Sequence, residues 1–179
     1  MLKKERFYAA TVGKDAAEVI ESYKTGVELD CFCWSVRLEE KDAIDEALGY
    51  MKLTNRHILH GPFTELYPAA IDPEAVDLAY KRLEQAYDIS RRLGIDRMVV
   101  HSGYLPFIYF KEWHIEKSAQ FWNNFMRNKD ENFKIYIENV LEASVNPALR
   151  RFVLGFFRSI SLWAQFRSPV RITGLILSS

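Results

Sequence analysis

Three short apolar runs in this sequence end on a side chain that can hold a metal ion or move a proton: Ile58-Leu59-His60, Val99-Val100-His101 and Tyr136-Ile137-Glu138. Two imidazoles and a carboxylate are suitable ligands for Zn²⁺, Mn²⁺ or a related divalent ion. A carboxylate such as Glu138 can also serve as a proton carrier. If the three runs are parallel strands, their C-terminal ends share one sheet edge. Residues two apart then share a face, so Ile58 with His60, Val99 with His101, and Tyr136 with Glu138 point the same way. Other candidates carry less. His57 sits at the wrong end of its run and His114 within a helical stretch, which reads both as surface or packing residues. Cys31 and Cys33 form a C-x-C with no second pair, a weak metal signal that reads as core cysteines. Glu28 lies inside an apolar run and serves either a site or a structural role. Trp113, Phe121, Trp122 and Phe125 read as core contacts of one helix. There is no phosphate-binding loop, dinucleotide fingerprint or nucleophile elbow.

The elements that must position these groups alternate along the chain. Strands are predicted over 7–12, 27–32, 57–60, 98–101 and 133–138. Helices are predicted over 14–24, 38–51, from Asp72-Pro73 to Gly94, and over 111–127. Asp72 supplies an N-cap acceptor, Pro73 suits the first helical position, and Gly94 is a natural C-terminal stop. Short, mostly apolar strands separated by helices indicate a parallel sheet covered by helices. Doubly wound sheets and barrels both fit this rhythm. In a barrel, active sites are built at the C-terminal strand ends, where all three candidate groups would gather. In an open sheet, sites lie at a switch in strand order, and three neighbouring strands need not meet there.

Composition narrows the class. The chain has 179 residues, of which 49% are hydrophobic and 27% charged, an ordinary globular mix that excludes a disordered or collagen-like chain. No uncharged apolar run approaches the roughly 20 residues of a membrane span, and no signal-peptide stretch follows Met1. The 2 cysteines are no disulfide framework, which makes a reducing cytoplasm the default location. The net charge of zero conceals a split. Residues 1–142 hold 19 Lys and Arg against all 24 Asp and Glu, a net of −5. Residues 143–179 hold 5 Arg and no Lys, Asp or Glu, a net of +5. The two segments are therefore read separately: 1–142 as the folded unit, 143–179 as an atypical tail rich in Arg, Ser, Leu and Phe.

The motifs His60-Gly61-Pro62-Phe63, Asp72-Pro73, Val99-Val100-His101-Ser102-Gly103-Tyr104 and Ile137-Glu138-Asn139-Val140, in that order, resemble the xylose-isomerase-like TIM barrels. The branch they resemble is the sugar phosphate isomerases and epimerases, relatives of the endonuclease-four type of apurinic endonuclease. The resemblance covers residues 6 to about 142. It implies a partial (β/α)8 barrel of about five βα units, with His60, His101 and Glu138 as ligands of a divalent Mn, Zn or Mg ion. It also implies Glu138 as a catalytic residue, Tyr104 and Asn139 as substrate-binding residues, and a small sugar or sugar phosphate as substrate. The family's later strands supply further Asp, His and Glu ligands, yet no Asp, His or Glu follows Glu142. Eight units also need about 250 residues. The expectation is an incomplete barrel, with the tail read as out-of-frame sequence or, alternatively, as a basic amphipathic helix over Pro147 to Phe166. An endonuclease is disfavoured by the net −5 of residues 1–142, by the lack of a basic run, and by Ser-Gly-Tyr after His101 where the endonucleases typically show Pro-Gly. A non-catalytic remnant is the third reading. Open strand edges would favour self-association.

Overall fold

The computed structural model describes residues 7–103 and 109–138. The expectations for Tyr104, Asn139 and the tail lie outside the described residues. Five strands, β1 (Tyr8–Ala10), β2 (Gly26–Leu29), β3 (His57–His60), β4 (Arg97–His101) and β5 (Lys134–Glu138), form one sheet. They are parallel and stand in chain order, β1-β2-β3-β4-β5. The connecting helices are α1 (Ala16–Tyr23), α2 (Lys41–Met51), α3 (Pro73–Arg92) and α4 (Lys111–Met126). A parallel sheet in unbroken chain order has no reversal of direction, so its crossovers wind one way and its helices cover one face. That is the winding of a barrel wall and not of a doubly wound sheet.

Side chains confirm the division into faces. Val27, Leu29, Leu59, Met98, Val100 and Ile135 pack with helix residues such as Ile20, Ala43, Leu83 and Phe125 in one apolar cluster. The alternate positions Glu28, Ile58, His60, Val99, His101, Tyr136 and Glu138 stand outside that cluster and share the opposite face. α3 starts and stops as its end residues dictate. The Asp72 carboxylate accepts the Glu74 N–H at 2.9 Å, Pro73 opens the helix, and Gly94 takes φ +71° just beyond it. Among the described residues no helix is long and apolar enough to cross a membrane.

The two largest departures from the expected element boundaries are the end of β2 and the start of α2. β2 ends at Leu29, not at residue 32, because Asp30–Phe32 turns into a short 3₁₀ helix. Asp30 is drawn out of the ladder by Thr11: its Oδ2 accepts the Thr11 N–H at 2.6 Å, and its own N–H donates to Thr11 Oγ1 at 2.8 Å. A second 3₁₀ segment, Ser35–Glu39, then delays α2 from residue 38 to Lys41.

Gly26 has a steric duty on the inward face. A Cβ there would lie 2.5 Å from the Tyr8 ring and 3.1 Å from the Arg56 carbonyl oxygen. The ring is not free to swing aside, since Arg97 Nη1 donates to its hydroxyl at 3.2 Å and the Arg56 guanidinium sits 5.8 Å from its centroid. Gly26→Ala is expected to destabilise the fold by about 1–3 kcal/mol, the usual cost of overpacking. Urea unfolding of the variant beside the parent checks this as a lowered midpoint at unchanged slope.

Candidate metal and catalytic site

His60, His101 and Glu138 are the last residues of β3, β4 and β5. Parallel register puts His101 opposite Glu138 and His60 opposite Val99, one pleat from His101. The three side chains therefore meet at one edge. Glu138 Oε2 lies 3.4 Å from His60 Nε2 and 3.4 Å from His101 Nε2. One ligand atom from each residue lies within 4.8 Å of the other two. An ion about 2 Å from each donor needs that order of spacing, so the set fits a divalent cation.

Orientation is imposed from outside the triad. His60 Nδ1 sits 2.8 Å from the Gly61 carbonyl oxygen. It donates there, which directs Nε2 at the shared space, the arrangement that metal-binding histidines use to fix their tautomer. Phe63 stacks on the His101 ring, with centroids 3.9 Å apart and planes at 17°, and meets the His60 ring edge-on at 5.3 Å. The Phe63 N–H donates to the Cys33 carbonyl at 3.2 Å, which ties the loop after β3 to the loop after β2. Phe63 thus holds both imidazoles. Phe63→Ala is expected to weaken divalent-metal affinity about tenfold, toward the low end for loss of an orienting contact, without unfolding the chain. Isothermal titration with Zn²⁺, with far-UV circular dichroism as the fold control, checks it.

The sequence undervalued two further residues. Glu28 occupies the last inward-facing position of β2, and its Oε1 is 3.9 Å from His60 Nε2. Burial pushes its pKa up to about 7, against the pull of His60 and helped by the charges of Asp30 and Glu138. Cys33, brought back by the 3₁₀ turn, places Sγ 3.8 Å from Asp30 Oδ1 and forms a second ligand-capable group with Asp30 and His60. Burial raises the Cys33 pKa, so it remains a thiol at neutral pH until a ligand takes the proton's place. For His60, burial works against the charged ring. Hydrogen bonds to Cys33, Glu138 and the Gly61 carbonyl outweigh it and hold the pKa above the usual imidazole range.

The other two histidines are not members of these ligand-capable groups. His57 Nε2 contacts the carbonyl oxygens of Met51 at 3.2 Å and Thr54 at 2.5 Å, closing the turn that follows α2. His114 is buried on α4, and that burial lowers its pKa. Phe121, Trp122 and Phe125 are buried in the helix-side core, while Trp113 is only partly covered.

Solved structures carry the same architecture. A D-tagatose 3-epimerase-like protein aligns with a TM-score of 0.54 at 17% identity, over 77% of this chain and 54% of its own. The TTHB071 protein from Thermus thermophilus, soaked with ZnCl2, aligns with a TM-score of 0.56 at 24% identity, over 87% of this chain and 63% of its own. They share the parallel, helix-covered sheet wound as a barrel wall. At such identities the likeness speaks for the fold, and function must be argued from the site. The chain spans about half to two thirds of the length of these two structures. No family model and no curated protein matches the sequence.

Proposed function

We propose that the edge formed by His60, His101 and Glu138 is the metal-binding half of a sugar or sugar phosphate isomerase or epimerase site. The observation that carries the reading is the placement of one carboxylate oxygen 3.4 Å from both imidazoles, at the C-terminal edge of a parallel sheet wound as a barrel wall. His60, His101 and Glu138 would hold the ion. When bound, a divalent ion supplies Lewis acidity toward carbonyl and hydroxyl oxygens and neutralises developing enediolate charge. The remaining chemistry belongs to the chain's own groups. Isomerisation and epimerisation move a proton on a carbon beside a carbonyl. Glu28, with a pKa near 7, is poised to accept and return that proton at neutral pH. Glu138 is the expected catalytic carboxylate, and we assign it the part of ligand because it faces both imidazoles. Phe63 and the Gly61 carbonyl hold the imidazoles in place. Residues 1–142 are read as the first five βα units, and turnover by the 179-residue chain as slow.

The test is a panel of ketoses, aldoses and their phosphates, assayed with Zn²⁺, Mn²⁺ or Mg²⁺ and read by deuterium uptake from solvent into the carbon beside the carbonyl. Exchange that depends on the ion and is lost in Glu28→Gln supports the reading. Tight retention of metal with no exchange on any sugar would overturn the isomerase reading.

A further inference from the structure

The loop after β2 brings a sulfur to the same edge. Asp30, Cys33 and His60 each offer a ligand atom within 4.8 Å of the other two. Cys33 is only 7% exposed. Its position is set by backbone contacts on both sides: its N–H donates to the Asp30 carbonyl at 3.0 Å, and its carbonyl accepts the Phe63 N–H at 3.2 Å. Asp30 is itself anchored, with Oδ2 receiving the Thr11 N–H while Oδ1 faces the thiol. The chain's other cysteine, Cys31, packs in the helix-side cluster.

The two ligand-capable groups share His60. Its Nδ1 is engaged by the Gly61 carbonyl, so one ring nitrogen, Nε2, is left to ligate. A single lone pair serves a single ion. The groups Asp30–Cys33–His60 and His60–His101–Glu138 are therefore not independent sites, and whatever occupies one draws on the other.

We propose that Cys33 is a ligand of the same ion as His60, giving a mixed nitrogen, oxygen and sulfur set that selects Zn²⁺ or Co²⁺ over Mn²⁺ and Mg²⁺. Thiolate is a soft ligand that suits zinc and its neighbours, whereas Mg²⁺ and Mn²⁺ favour carboxylate, carbonyl and water oxygens. Ligation exchanges the thiol proton for the metal–sulfur bond and releases that proton to solvent. Asp30 acts as a positioning residue for the sulfur. The proposal rests on the reading of His60, His101 and Glu138 as a metal centre.

The test uses the full chain, stripped by chelator and titrated with Co²⁺, followed by absorbance and equilibrium dialysis together. One ion bound with a near-ultraviolet thiolate-to-cobalt charge-transfer band is the expected result. Cys33→Ser should still take up Co²⁺ but lose the band, and its preference for Zn²⁺ over Mn²⁺ should fall about 10- to 100-fold. Cys31→Ser, in which Cys33 is the chain's sole thiol, should keep the band, which secures the assignment even if Cys33→Ser folds poorly. Co²⁺ bound without the band, or a band that survives Cys33→Ser, overturns the proposal and leaves the metal centre standing. Failure of the parent chain to retain Co²⁺ overturns both.

Discussion

Replacing His60 with alanine is expected to lower divalent-metal affinity by more than about 100-fold, the largest effect of any single substitution in this chain. Losing an outer contact to a ligand commonly costs 10- to 100-fold, and His60 is a ligand with several contacts of its own. Its Nε2 faces Glu138 at 3.4 Å and Glu28 at 3.9 Å, its Nδ1 bonds Gly61, and its ring meets those of Phe63 and His101. Among the described residues, His60 is the imidazole that faces both carboxylates, and the substitution removes it. The lost contacts also expose a packing cost, because His60 is 4% exposed. Alanine leaves a cavity, takes the imidazole from Glu28 and leaves Glu138 with that of His101, so a stability loss of about 2–4 kcal/mol should accompany the lost affinity. His60→Gln separates the two effects: it refills most of the space and restores a donor, yet offers no imidazole nitrogen. Metal content after dialysis against a weak chelator, measured beside thermal unfolding of the stripped protein, reads both. Retention of one equivalent of Zn²⁺ by a folded His60→Ala chain would remove His60 from the centre.

The chemistry of this edge was legible because it is encoded locally. An apolar run with one polar residue at its end needs only a strand direction to become a sheet-edge group, and alternation supplies the face. β3, β4 and β5 obey that rule, and His60, His101 and Glu138 fall where it puts them. β2 breaks it. Val27 to Phe32 continues the alternation of a strand, but Asp30 leaves the ladder for Thr11, 19 residues earlier, and no local pattern reports that bond. The missed turn hid Cys33, because its approach to His60 depends on three residues of 3₁₀ helix placed after Leu29. Glu28 was visible but undecided. Its role depends on which strand lies beside β2, and the neighbour, β3, is known only once the sheet is assembled. Phe63 carried a family motif, yet its stacking on His101 joins the loop after β3 to the end of β4, and their separation along the chain gives no pattern to read.

Glu28→Gln is expected to stabilise the metal-free protein at pH 8 and to have almost no effect at pH 4. Glu28 has a pKa of about 7 in the fold against 4.5 when exposed. Between these values the folded state holds a proton that the unfolded state has released. Stability therefore falls as pH rises through that window, since each bound proton unique to the folded state makes folding less favourable as protons grow scarce. Above pH 7 the buried carboxylate is ionised in both states and its full penalty is present. A difference of this size corresponds to about 3 kcal/mol. Glutamine keeps the shape and stays neutral, so it escapes the penalty. A chain of this size moves roughly 2–4 °C in Tm per kcal/mol, which puts the expected gain near 10 °C at pH 8. His60 titrates in the same sense over a higher range, its contribution being lost as pH rises above the usual imidazole value, so the parent chain should continue to weaken beyond pH 7. Melting curves of parent and variant in chelator, taken at each pH unit from 4 to 9, give the difference directly. Curves that stay parallel across pH 5 to 7 would show that Glu28 ionises in the fold as freely as in water, and the case for it as proton carrier would go with them. A difference that opens across that window and collapses when Zn²⁺ is added would instead join the two halves of the site: the cation, once held by His60 and Glu138, takes over from burial in setting the charge on Glu28.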